Sequence, residues 1–439
     1  MKRFIERQFA EWKESPRRKP LILRGLRQVG KTWSVKAFGK SSFDNTTVVD
    51  LERNPGWRTV FDGDLNARRI CSELEILTGN KIQPGKTLLF IDEIQSVPRA
   101  ITALRYFYEE MPDLHVIAAG SLLEFALRDI SIPVGRVQFL QMYPLCFAEF
   151  LEAVGNTEAA GVVRAPPRPV SQMVHDYLIA ELKKYFFVGG MPESVQAYCN
   201  TGSLRDAFDV QKELIEAYRM DFAKYAPHSD KLCLNNVLTT LSQSVGQQIK
   251  YSRLAEGYSN PTLKKAFELL CLAGIVRKVS SANPVGLPLG ASASPAVFKA
   301  IMADIGLMQA LSGMAVDQEY ARNDLLQIYR GAMAEQFVGQ EMLISQQGEL
   351  FYWDRQAKSS MAEVDFLAVV DGNIHPVEVK SGVSGSLKSL HLYLESFGAG
   401  GKGMVFSMRP YSDLPDAGIT FIPLYYAMSA TGSGGAELS

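Results

Sequence analysis

The stretch Gly25-Leu26-Arg27-Gln28-Val29-Gly30-Lys31-Thr32 has the spacing G-x-x-x-x-G-K-[ST], set between the apolar run Leu21, Ile22, Leu23 and a helix-competent segment. Few local patterns restrict a fold so far. A backbone that curls through glycines between a strand and a helix aims successive N–H groups at one point, and the helix adds its positive dipole end there. The arrangement implies a phosphate-binding loop and hence a nucleoside triphosphate, with Gly25, Arg27, Gln28, Val29, Gly30, Lys31, Thr32 and Trp33 as the nucleotide-binding set. Lys31 is expected to reach the β- and γ-phosphates, and the Thr32 hydroxyl to complete a Mg²⁺ coordination sphere.

A loop of this kind needs an acidic partner, and Leu88-Leu89-Phe90-Ile91-Asp92-Glu93 supplies one: an apolar run that reads as a buried parallel strand ending in two carboxylates. Asp92 is expected to hold the Mg²⁺ and Glu93 to polarise the attacking water as general base. The alternative is an acidic pair capping the next helix. A third run, His115 to Ala119, leads into Gly120-Ser121. Ser121 is placed either to contact the γ-phosphate or the attacking water, or to cap a helix starting at Leu122.

Composition narrows the class. At 439 residues the chain is long enough for about three ordinary domains with apolar cores. Cys71, Cys146, Cys199, Cys233 and Cys271 show no C-x-x-C spacing, so neither a disulfide framework nor a zinc site is encoded. No apolar run reaches the roughly 18 residues of a membrane span, and the basic amino-terminal stretch lacks a signal peptide's apolar core. The sequence therefore reads as a soluble cytoplasmic protein with no membrane partner. Net charge is −1, but residues 1–40 carry twelve Lys or Arg against three Glu, leaving the remainder acidic. Within that stretch Arg17-Arg18-Lys19 is either a solvated helix end or a phosphate contact.

Up to residue 165, expected strands at Leu21–Arg24, Thr47–Leu51, Thr87–Ile91, His115–Ala119 and Val137–Leu140 alternate with helical stretches, which argues for a parallel sheet with helices on both faces. Residues 166–228 resume helical periodicity around the sharp turn Gly189-Gly190-Met191-Pro192 and read as a helical lid beside the nucleotide site. Residues 229–298 read as helix, short helix, helix, strand and loop, the order of a winged helix. Its third helix, Pro261–Ala273, is capped by Asn260 and stopped by Gly274; Leu263, Phe267, Leu270 and Cys271 share one face. Lys264 and Lys265, on the other face, are the candidate DNA contacts. Winged helices also serve as protein contact modules.

Residues 299–428 hold a second constellation. Glu363 to Val370 and Asn373 to Lys380 read as two strands joined by the hairpin signal Asp371-Gly372. With that loop Val370 pairs with Asn373, and Asp365 falls opposite Glu378, close enough for the two carboxylates to share a divalent cation. Lys380 points to the same face and is placed to orient a metal-bound hydroxide. A longer loop would turn Glu378 to the wrong face, and Pro376 argues for an edge strand. Together with Glu335 on the helical stretch Arg330–Leu343, the set Asp365, Glu378, Lys380 has the arrangement of PD-(D/E)XK nucleases. Solvated acidic strand residues are the alternative. The tail, 429–439, rich in Gly, Ser and Ala, reads as disordered.

Taken together, Arg27 to Thr32, Phe90-Ile91-Asp92-Glu93-Ile94-Gln95, Ala119-Gly120-Ser121, Gly135-Arg136, Tyr143-Pro144-Leu145, Phe147, Glu149-Phe150, Gly189 to Glu193, Glu363-Val364-Asp365 and Val377 to Lys380 resemble a prokaryotic family. Its members are AAA-type P-loop ATPases, related to the archaeal ATPases, with a carboxy-terminal domain of unknown function. The resemblance implies an α/β chain: a P-loop AAA-like parallel sheet with helical lid, then a winged helix, then an α/β restriction-endonuclease-like domain. It makes Arg136 the candidate arginine that meets the γ-phosphate, in the same chain or from a neighbouring subunit of a homo-oligomer, with Arg99 and Arg105 as rivals. The expected function is Mg²⁺-dependent ATP hydrolysis coupled to DNA engagement, with metal-dependent phosphodiester cleavage at a second divalent cation. Its alternatives are a non-nucleolytic switch for a protein partner and a branched-DNA remodeller.

Overall fold

The computed structural model describes residues 1–121, 123–127, 133, 135–225, 230–313, 326–357, 360–380, 387–398 and 401–432. The expected helix start at Leu122 and tail residues 433–439 lie outside them. Lys2–Tyr143 form one compact unit, and Pro144–Cys271 with Ile275 onward another.

In the first unit, β1 (Leu21–Gly25), β2 (Asn45–Asp50), β3 (Thr87–Asp92), β4 (His115–Ala119) and β5 (Gln138–Met142) form an all-parallel sheet in the order β2-β3-β4-β1-β5. All five expected strands are present. Every residue of β3 and β4 is buried, as central strands covered on both faces require. One face packs Ile22, Val49, Ile91, Val116 and Ala118 against Ile70 and Leu74 of the helix Ala67–Thr78 and Ile101, Leu104 and Phe107 of the helix Pro98–Glu110. Because β4 lies between β1 and β3, their carboxyl ends adjoin. The phosphate loop, the acidic pair and Ser121 leave the sheet at the same edge.

The second unit has an eight-stranded mixed sheet, ordered β12-β13-β11-β10-β9-β8-β6-β7. Its strands are β6 (Val276–Ser281), β7 (Ser294–Met302), β8 (Leu350–Ala357), β9 (Ser360–Val370), β10 (Asn373–Val379), β11 (Gly403–Ser407), β12 (Ser412–Leu414) and β13 (Ile419–Pro423). The helices Lys231–Gln243 and Asn260–Leu272 precede the antiparallel pair β6–β7, in the expected order. Yet β6 also pairs in parallel with β8, so the sheet runs through the boundary expected between residues 298 and 299.

Local signals behaved as their chemistry directs, with two corrections. Ser259, rather than Asn260, caps the third helix: its Oγ accepts the Thr262 N–H at 3.4 Å. Gly274 takes φ 75°, and Ile275 N donates back to Leu270 O, as a glycine stop requires. The start of the expected tail is ordered: Thr431 is fully buried, ends the helix Ala427–Thr431, and its hydroxyl donates to Ala427 O at 2.7 Å and shares a hydrogen bond with the Ser345 hydroxyl.

The turn at Gly189-Gly190 is a tight crossing inside the second unit. A Cβ on Gly190 would meet Leu145 O at 2.1 Å, and one on Gly189 would meet Asp304 Oδ1 at 2.4 Å. Asp304 accepts the Gly190 and Leu307 N–H groups. The expected lid helices, Gln172–Val188 and Leu204–Tyr225, pack against the helix Ile305–Ser312 of their own unit.

Candidate functional site

β1 delivers Gly25 beside Met142 of β5, where a Cβ would stand 2.4 Å from the Met142 carbonyl. Only glycine lets the loop leave the sheet there. Gly30, at φ 99°, caps the helix Lys31–Ser42, and Gln28 is held at φ 64°. Such backbone is costly for a residue with a side chain and persists where its surroundings enforce it. Arg3 supplies part of that enforcement, with Nη1 donating to Val29 O at 3.1 Å and Nη2 to Tyr143 O at 2.6 Å. Sequence reasoning passed over Arg3, because contacts 26 and 140 residues away leave no mark in local spacing.

Lys31 is buried, and its Nζ donates to the carbonyls of Gly25 and Leu26 at 2.9 and 3.0 Å. Burial lowers its pKa to about 8, against the opposing pull of Glu93 and Asp92. The Thr32 hydroxyl donates to Asp92 Oδ2 at 2.8 Å, so the two oxygen donors a magnesium ion would take already face one another. Asp92 Oδ1 accepts the Glu93 N–H, while burial raises the carboxyl's pKa. Trp33, next to Thr32, is 53% exposed, and Arg27 lies in the loop between them and β1.

Glu93 sits at φ 52°, a left-handed conformation that turns its side chain towards the end of β4. There the Ser121 hydroxyl donates to Oε1 at 2.9 Å, and the Ser121 N–H and the Gln95 amide donate to Oε2. Gln95 Oε1 is buried without a partner among the described residues, and a Cβ on Gly120 would lie 2.0 Å from it. Gln95 is therefore part of the site, and Gly120 is glycine to admit it. The signal was present in the run Asp92-Glu93-Ile94-Gln95, but only the fold shows which way the amide turns.

Arg136 lies elsewhere. Gln138 N donates to Pro20 O, so β5 starts beside the start of β1, whereas the phosphate loop leaves from its end. Five residues of strand, about 3.3 Å each, separate the two levels. Arg136 and Arg105 both pair with Glu109, at 3.3 and 3.0 Å, and Arg99 is tied to the Phe61 and Gly63 carbonyls. Arg18 bonds the Lys13 and Pro112 carbonyls, which suits a helix end.

In the second unit the hairpin has the expected register. Val370 pairs with Asn373 and Phe366 with Val377, with Asp371 and Gly372 both at positive φ. Pairing with β11 starts only at Val377, which frees Pro376 from donating on that side. Asp365 and Glu378 come together as expected, and burial and Asp365 raise the Glu378 pKa. The Val379 N–H donates to Asp365 Oδ2 at 2.7 Å, and Lys380 Nζ donates to Glu378 Oε1. Glu335 joins them from the helix Leu326–Gln346.

A cation of the chain itself stands among the carboxylates expected to share a metal ion. Lys299 of β7, 1% exposed, places its Nζ 2.8 Å from Glu335 Oε1, 2.5 Å from Glu363 Oε1 and 3.3 Å from Asp365 Oδ1. Among the described residues no three His, Cys, Asp or Glu side chains are arranged to hold a metal ion. Lys299 was invisible in the sequence, being 36 and 66 residues from Glu335 and Asp365. Lys264 and Lys265 lie on the exposed face of the helix Asn260–Leu272, opposite buried Leu263, Phe267 and Leu270; Lys264 stands 3.9 Å from Glu268. No described helix is long and apolar enough to cross a membrane.

Three segments of the chain match models of known domains. Residues 17–151 match the family described as an AAA domain, and that segment is a P-loop domain of the AAA type. Residues 179–318 and 330–426 match two domains of unknown function, DUF8612 and DUF4143. No curated protein matches the chain. Among solved structures, the Orc1 protein of Aeropyrum pernix in complex with DNA is 11% identical; the match covers 72% of this chain and 92% of that one, at a TM-score of 0.29. The RuvB Holliday junction branch migration motor of Thermotoga maritima is 18% identical over 61% of this chain and 84% of its own, at 0.27. A signal transduction ATPase with a tetratricopeptide repeat sensor from Pyrococcus horikoshii is 12% identical over 78% of this chain and 45% of its own, also at 0.27. Overlaps this shallow carry no functional argument.

Proposed function

We propose that the chain is a Mg²⁺-dependent ATP hydrolase whose nucleotide state governs engagement with DNA. The observation that carries the first half is the convergence of Lys31, Thr32, Asp92, Glu93 and Ser121 at one edge of the parallel sheet. Lys31 exchanges its loop carbonyls for the β- and γ-phosphate oxygens. Thr32 and Asp92 would hold Mg²⁺, which would neutralise charge on the phosphates. Glu93, aimed by Ser121 and Gln95, takes the proton of the attacking water. Arg136, at the far rim from its own loop, reaches a γ-phosphate from a neighbouring copy, so hydrolysis requires a homo-oligomer. Glu93→Gln is expected to lower kcat about a hundredfold or more with ATP affinity retained. Normal turnover in that variant sinks the assignment.

DNA engagement rests on the helix Asn260–Leu272, which presents Lys264 and Lys265 ahead of the β6–β7 hairpin in winged-helix order. Removing both lysines should make the slope of log K against log salt shallower by about two. An unchanged slope would mean that this face meets a protein. The Lys299 contacts favour the non-nucleolytic reading of the carboxy-terminal domain.

A further inference from the structure

We propose that Lys299 is the resident cation of the carboxy-terminal cluster, standing where a divalent metal would stand and leaving this domain without metal-dependent nuclease chemistry. The inference is independent of the ATPase reading.

Lys299 Nζ takes one oxygen each from Glu335, Glu363 and Asp365. Of the others, Glu363 Oε2 accepts the Gln248 amide at 2.7 Å, Asp365 Oδ2 accepts the Val379 N–H, and Glu378 Oε1 accepts Lys380. Glu335 Oε2 faces Gly246, where a Cβ would come within 2.6 Å. Among the described residues Glu378 Oε2 is buried without a partner. A divalent ion, which takes about six ligands at roughly 2.1 Å, would have to compete with Lys299 for the oxygens it already holds.

Energetics point the same way. An ammonium as buried as that of Lys299 is tolerable only among opposing charges, and burial alone would lower its pKa. Glu335, Asp365 and Glu363 supply those charges. A metal entering the cluster would have to displace this ammonium from among the carboxylates of β9 and the helix Leu326–Gln346. Lys299 thereby ties three elements together through one atom.

Mn²⁺ titration of the full chain, followed by electron paramagnetic resonance, tests the proposal, with Asp92→Asn as background to silence the nucleotide site. No uptake, or uptake indifferent to Asp365→Asn, supports a closed cluster. Uptake abolished by Asp365→Asn overturns it. Lys299→Met is expected to gain a Mn²⁺ site at least ten times tighter than the background chain, lost again on adding Asp365→Asn. A Lys299→Met chain that keeps its circular dichroism spectrum but binds no Mn²⁺ would overturn the role given to Lys299. Should that variant fail to fold, the Asp365→Asn comparison decides by itself.

Discussion

The Ser121 hydroxyl donates to Glu93 Oε1 at 2.9 Å, joining the ends of two adjacent central strands. With the Gln95 amide on the other oxygen, the carboxylate is held from two sides. Ser121→Ala and Gln95→Ala are each expected to lower kcat about tenfold, a fraction of what the base itself contributes, with the KM for ATP little changed. Gly120→Ala should reproduce the Gln95→Ala loss, since its Cβ would strike Gln95 Oε1. Steady-state kinetics on the three variants check this, and three wild-type values would refute the clamp.

The shared partner Glu109 places Arg105 and Arg136 at the rim opposite the phosphate loop. Arg136→Ala should cost about a thousandfold in kcat if it completes a neighbour's site. Mixing Arg136→Ala chains with Glu93→Gln chains should then restore part of the activity, because each supplies what the other lacks. Two inactive variants that stay inactive when mixed would exclude action across an interface.

His115 is buried at the start of β4, its ring 5.7 Å from Trp12 and 4.8 Å from Phe43. Burial, helped by the charge of Arg18, lowers its pKa to about 4 from the ordinary 6.5. The folded chain thus keeps the neutral ring while the unfolded chain takes up the proton. This contribution to stability is intact above about pH 6.5 and is lost as pH falls towards 4. Denaturant midpoints should fall across that window in wild type and fall less in His115→Phe; equal slopes would contradict the assignment.

Gly190→Ala is expected to destabilise the second unit by about 2 kcal/mol or more, since its Cβ would enter the Leu145 carbonyl and disturb the Asp304 contact. Thermal unfolding measures it. A variant as stable as wild type would mean the crossing yields without cost.

Much of the first unit was legible because its signals are short-ranged. The phosphate loop, the acidic strand end and the five apolar runs each sit within a few residues, and backbone sterics act at that range. The Asp371-Gly372 turn likewise specified its register, since two residues at positive φ leave little freedom for the strands they join. Domain limits and charge partners were less legible. β6 reads like the strand of a separate module until β8 pairs with it, and Thr431 lies in a Gly- and Ser-rich tail until Ser345 meets its hydroxyl.

The amino-acid sequence by itself determined that a triphosphate loop precedes a helix, that an acidic pair ends a buried strand, and that Asp365 and Glu378 share a strand pair. Only tertiary structure decided that Gln95 turns back onto Glu93, that Arg136 faces away from its own loop, and that Lys299 fills the space between Glu335, Glu363 and Asp365. The physical reason is range. Dihedral preferences and hydrophobic periodicity act between near neighbours, whereas the partner of a buried charge is whatever the packed chain brings within about 3 Å, however far away it lies in sequence.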